Sequence, residues 1–258
     1  MNSVQTRPGI ALNCRWNLKD AAKVFLAYVI LLLIGMPVIV RFINVLLGFN
    51  ILNSIGHRNL ILFISVFINM LVCSYVFYIV CNEYRQPVTA LGLSLINLAE
   101  NIKQGVKRYA ITLPVIILAG FFVNLISSYY GQAPQMQEIV QWVLEEKSVF
   151  ILGSLIFFGI VVAPVMEEIM FRGFLQPALK NSLGRRYAIT ITASLFAAVH
   201  MDIFAFLQIF ILGMLLGYLY EKTQTLVASI VVHILHNSLT LVFLLYFKFF
   251  MKGKIPVF

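Results

Sequence analysis

The chain has 258 residues, of which 61% are hydrophobic and 11% charged, with 22 Phe and a mean hydropathy of +0.93. That balance excludes a soluble globular enzyme and describes an all-α polytopic membrane bundle, with room for about seven or eight spans and no sizeable soluble domain. The net charge of +9 comes from Lys and Arg scattered through short segments between apolar runs. Such charges set topology and meet anionic lipid, and they argue against nucleic acid as a partner.

In chain order, residues 1–21 carry Arg7, Arg15 and Lys19 without an apolar period and are expected to form a cytoplasmic tail. The next apolar run, about 22–47 with Pro37 and Arg41 inside it, is too long for a cleavable signal and is read as span one, an anchor that stays. A polar turn over 53–59 leads to span two, about 60–80. Cys14, Cys73 and Cys81 have no ligand spacing and are read as inert thiols. Between 82 and 108, Leu91, Leu95, Leu98, Ile102, Val106 and Tyr109 recur at helical steps opposite Glu100, Lys103, Lys107 and Arg108. That pattern predicts an amphipathic helix lying on the membrane surface.

Span three, about 110–128, ends in the interfacial pair Tyr129 and Tyr130. The acidic loop 131–147 is expected outside. Span four begins near 148, is expected to kink at Pro164 and continues to about Lys180. The basic loop 180–186, span five at about 187–201, span six at 203–220, a polar turn at 221–225 and a last span at about 226–246 complete the chain. The whole is read as one integral membrane domain whose 148–246 spans form the core of the site. The positive-inside rule puts the N-terminus, 82–108 and 180–186 in the cytoplasm. Seven spans then leave the tail with Lys248, Lys252 and Lys254 outside, so either span one is two half-spans or the tail is an exception.

Glu167 and Glu168 stand side by side after the uncharged stretch 148–166, and ionisable groups at membrane depth mark functional sites. On a helix Glu168 and Arg172 share a face at i, i+4, whereas Glu167 lies about 100° round. One glutamate is thereby neutralised and the other left free. Span five places Phe196 and His200 at i, i+4, and the last span places His233, His236 and Asn237 within two turns. Counted from Lys180, Arg186 and Lys222, the residues Glu167, His200 and His233 lie about 16–21 Å into the membrane, in one layer. A carboxylate and an imidazole sharing a water can deprotonate it, and a second imidazole and an amide can donate to a developing oxyanion. No serine or cysteine stands in a nucleophile motif, so amide hydrolysis by water is the matching chemistry. No cofactor is required by this set. The same residue types suit zinc, with Glu167, His200 and His233 as candidate ligands, although no HExxH is present.

Glu167-Glu168-x-x-x-Arg172, Phe196-x-x-x-His200 and His233-x-x-x-Asn237, in that order on late spans, resemble the motifs of the CPBP intramembrane protease family, which comprises type II CAAX prenyl endopeptidases and bacteriocin-immunity-like bacterial relatives. The resemblance implies that Glu167 and His200 activate water, that His233 and Asn237 stabilise the oxyanion, and that Glu168 and Arg172 hold shape and charge balance. It implies a multi-pass protein of a bacterial cell membrane, with its site open to the cytoplasmic side. The expected partner is a membrane-associated or lipidated peptide or protein substrate. Two other readings stay open: a non-catalytic immunity or regulatory protein that engages a membrane-protein partner, and a proton-coupled transporter.

Overall fold

A backbone in lipid must satisfy its own N–H and C=O groups, and a helix does so within one segment. In the computed structural model, residues 16–47, 55–131, 138–146 and 148–250 are described, and among them the chain forms helices and no strand. Arg7, Cys14 and Arg15 of the expected tail, Asn53 of the first turn, Lys147 of the acidic loop, and Lys252 and Lys254 lie outside the described residues.

The helices are α1 (Leu18–Ile30), α2 (Met36–Leu47), α3 (Ile55–Tyr78), α4 (Leu98–Tyr129), α5 (Glu138–Glu145), α6 (Val149–Phe157), α7 (Ala163–Glu168), α8 (Gln176–Leu183), α9 (Arg185–Ala198), α10 (Phe206–Thr223) and α11 (Val227–Phe250). π segments join α1 to α2 and α6 through α8 into continuous rods. Among the described residues five stretches are long and apolar enough to cross a membrane: Leu18–Leu46, Leu60–Glu83, Leu98–Tyr129, Val149–Leu183 and Val227–Phe250. With the apolar surface they expose, such as Phe63, Phe67, Ile111 and Ile117, they make this an integral membrane protein. The expected spans five and six form α9 and α10, of 14 and 18 residues, packed on each other. At 1.5 Å per residue α9 reaches about 21 Å, less than a bilayer core.

Three π segments, Leu31–Gly35, Phe158–Val162 and Ile169–Leu175, end two residues before Pro37, Pro164 and Pro177. Proline cannot donate to the carbonyl four residues back and its ring crowds that carbonyl, so the preceding turn widens. Proline is not sufficient, since Pro114 sits inside α4 without such widening. The carbonyls that a widened turn exposes find partners elsewhere in the chain: Trp16 Nε1, just before α1, donates to Phe174 O at 2.8 Å and Asn237 Nδ2 to Gly159 O at 2.9 Å.

The surface helix expected over 82–108 is not formed. A short 3-10 turn, Val88–Leu91, ends at Gly92 with φ +85°, and Asn97 adopts φ +55°; residues from Leu98 onward are the first turns of α4. Within 98–109 the face packed in the bundle is Asn101, Gly105 and Tyr109, the last buried with Leu216, Leu219 and Val232, while Leu98 and Val106 stay exposed on the outside.

The two ends of the bundle differ in charge. At one end Asn17 meets Tyr84, Leu226 N donates to Gly92 O, Asn101 meets Thr225, and Lys180 pairs with Glu221 at 2.8 Å. At the other, Lys248 donates to the carbonyls of Val143 and Glu146, beside α5. The lysine of α11 thus neutralises the carbonyl end of α5 in the acidic segment, a local partner that explains its place away from the other basic residues.

Candidate active site

Glu167 and Glu168 end α7, in the middle of the 35-residue span and between two π segments. Glu168 is sealed: Arg172 Nη1 donates to its Oε1 at 2.8 Å, and neither side chain has any exposed surface. Arg172 Nη2 donates to Gly213 O at 3.2 Å, and the guanidinium lies 4.3 Å above the Phe196 ring. A buried charge pair is retained only with such supplementary bonds, because desolvation of each ion is costly.

His233 joins the two glutamates. Its Nδ1 is 3.0 Å from the same Oε1 of Glu168, and its Nε2 is 3.6 Å from Oε2 of Glu167. A carboxylate only accepts, so Nδ1 carries a proton and the ring is held in one orientation. Glu167 keeps 18% of its side chain exposed, and that exposure faces a cavity of about 480 Å³. The carboxylates are therefore divided as the helix geometry expects, one in the protein's charge lattice and one open.

His200, His236 and Asn237 line the same cavity with Glu167 and His233. His200 Nδ1 lies 2.6 Å from Phe196 O, a carbonyl acceptor, which fixes the proton on Nδ1 and leaves Nε2 with a lone pair. Phe196 is the hub: its ring meets Phe171, His200 and His233 edge-on at 5.2, 4.8 and 5.5 Å, besides Arg172. Asn237 uses one amide N–H on Gly159 O and keeps the second. Every candidate residue is thus brought to one place: four on the cavity, with Glu168 and Arg172 behind them.

Three features depart from the sequence expectation. His233 has both ring nitrogens directed at carboxylates rather than at an oxyanion. The cavity runs from Glu167 past Thr240 and Leu244 to Val140 and Val143, toward the α5 end and away from the basic end that was expected to hold the opening. Gln208 of α10 also lines the cavity. Its only signal in the sequence is a lone amide within an apolar helix.

Glu167 and His233 alone of the candidate metal ligands stand at ion-pair distance. Among the described residues no group of three His, Cys, Asp or Glu is close enough to hold a metal ion. Zinc ligation at about 2.0–2.2 Å from all three candidates requires side-chain movement.

Residues 149–239 match the family model described as Type II CAAX prenyl endopeptidase Rce1-like. That segment runs from α6 into α11 and holds all six candidate residues. The chain is 27% identical over 155 residues to YdiL of Bacillus subtilis (strain 168), whose name calls it a candidate membrane peptidase; the match covers 55% of this chain and 61% of the relative. It is 31% identical over 95 residues to the membrane-embedded CAAX protease MroQ of Staphylococcus aureus (strain USA300), covering 34% of this chain and 38% of the relative. The chain thus spans less than two thirds of the length of either relative. No solved structure matches it. Through residues 149–239 the chain is thus similar to the type II CAAX prenyl endopeptidases of the CPBP family of membrane proteins.

Proposed function

We propose that the protein is a membrane-embedded endopeptidase that hydrolyses a peptide bond of a membrane-associated or lipidated peptide or protein with water activated by Glu167. The observation that carries this reading is the division of adjacent carboxylates: Glu168 locked by Arg172, Glu167 open to the cavity beside His233 and His200. Water held between Glu167 and the free Nε2 of His200 attacks the carbonyl carbon, and its proton passes to Glu167. The C–O bond forms as the carbonyl electron pair moves to oxygen. Asn237's second N–H donates to that oxyanion. Collapse breaks the C–N bond, and Glu167 returns the proton to the departing amine, leaving an acid and an amine. His233, oriented by Glu168, holds Glu167 in place. No resident cofactor enters these steps. The basic end is read as cytoplasmic, which directs the cavity to the opposite side.

The test is a quantitative comparison of membrane and secreted peptides from cells carrying the natural chain or Glu167→Gln. New amino termini present only with the natural chain identify a substrate. Identical peptide sets, with both proteins inserted at equal levels, leave a non-catalytic partner-binding role.

A further inference from the structure

His233 is expected to help bind the oxyanion, yet its Nδ1 donates to Glu168 and its Nε2 lies 3.6 Å from Glu167, so the neutral ring has no proton to turn toward an oxyanion. A third histidine stands one turn further along α11. His236 lines the cavity, and its Nδ1 lies 3.0 Å from the hydroxyl of Tyr109, 127 residues earlier on α4, with the rings edge-on at 5.9 Å. Tyr109 is 2% exposed, and among the described residues its hydroxyl has no other hydrogen-bond partner. If Nδ1 donated to the phenol, the phenolic O–H would be left buried and unmatched, at a cost of about 1–3 kcal/mol. The satisfied arrangement has the phenol donating to Nδ1, which places the proton of the neutral imidazole on Nε2. Among the described residues that Nε2 makes no hydrogen bond.

The three cavity histidines therefore differ. His200 and His233 carry their protons on Nδ1, toward Phe196 O and Glu168. His236 carries its proton on Nε2. We infer that His236 is a catalytic residue of this site, donating Nε2–H to the scissile carbonyl oxygen beside Asn237, and that Tyr109 is the positioning residue that sets its tautomer. The inference rests on the hydrolytic reading above. No covalent step is added: the N–H stays on His236 while the oxyanion forms and collapses.

Two measurements on the full chain in lipid bilayers test it. In protein labelled with 13C,15N-histidine, solid-state NMR should show the His236 signal, identified by its loss in His236→Gln, protonated at Nε2. Tyr109→Phe should abolish that preference. Protonation at Nδ1 in the natural chain overturns the assignment. In the second, a quenched fluorogenic library of apolar peptides is scored for Glu167-dependent cleavage. On the peptides so found, His236→Leu should lower kcat about 100-fold with KM within about twofold, the cost of one oxyanion donor. Tyr109→Phe should lower kcat about 10-fold, and His236→Gln, which keeps an N–H, should fall between His236→Leu and the natural chain. Cleavage that needs Glu167 but ignores His236 overturns this assignment alone. No cleavage by the natural chain overturns the hydrolytic reading and this assignment together.

Discussion

Arg172 Nη1 lies 2.8 Å from Glu168 Oε1 with both side chains wholly buried, one residue from a glutamate that opens to a cavity. Removing one partner of such a pair leaves an uncompensated charge. Arg172→Met is expected to cost about 3–5 kcal/mol, read as earlier thermal unfolding in detergent, whereas Glu168→Gln/Arg172→Met together should recover part of that loss. Equal destabilisation by the single and double variants would show that the pair is not coupled.

Glu167 has no such structural burden, since its described ion-pair contact is His233 Nε2 at 3.6 Å. Glu167→Gln should insert and unfold like the natural chain while cleavage falls by about 100- to 10,000-fold. Glu168→Gln should lose both activity and stability, because it withdraws the negative charge that balances Arg172 and orients His233.

Two glycines of the same span predict opposite outcomes. A Cβ on Gly173 would stand 2.8 Å from Leu91 O, a backbone atom that cannot step aside, so Gly173→Ala should cost about 1–3 kcal/mol. At Gly159 a Cβ meets nothing within 4 Å. Gly159→Ala keeps the carbonyl that Asn237 uses and should leave thermal stability unchanged or slightly raised.

The widened turn around Phe174 depends on an indole from the chain's first described residue. Trp16→Phe keeps an aromatic ring to stack on Phe174, now 5.3 Å away, but removes the N–H that meets Phe174 O. A loss of about 1–3 kcal/mol in thermal unfolding is expected. An unchanged midpoint would mean that water or another donor replaces the indole.

Metal dependence follows from the same site. Chelator-treated, metal-free protein is expected to keep its Glu167-dependent cleavage, measured alongside elemental analysis. Loss of activity that zinc restores would place a metal on Glu167 and His233.

Local spacing made part of this site legible. The i, i+4 relation of Glu168 to Arg172 needs only helix geometry, and depth counting placed Glu167, His200 and His233 in one layer. The rest depends on tertiary partners. Nothing near Tyr109 names His236, and nothing near Asn237 names Gly159. The ring nitrogens of His233 could be assigned only once Glu168 was seen beneath them. The apolar period of 98–109 was genuine but belonged to α4, because Gly92 and Asn97 bend the chain before it. The span count was approximate because α9, with 14 residues, is buried against α8 and α10 as well as apolar. Pro164 did signal irregularity, and the turn before it widens into a π segment whose exposed carbonyl supports the site.

The most direct measurement is cleavage by purified protein in proteoliposomes of a peptide identified in cells, compared among the natural chain, Glu167→Gln and Glu168→Gln, with each variant's thermal midpoint recorded. The account predicts that Glu167→Gln is inactive at an unchanged midpoint and that Glu168→Gln is inactive at a lowered one. Full activity of a properly inserted Glu167→Gln would contradict it.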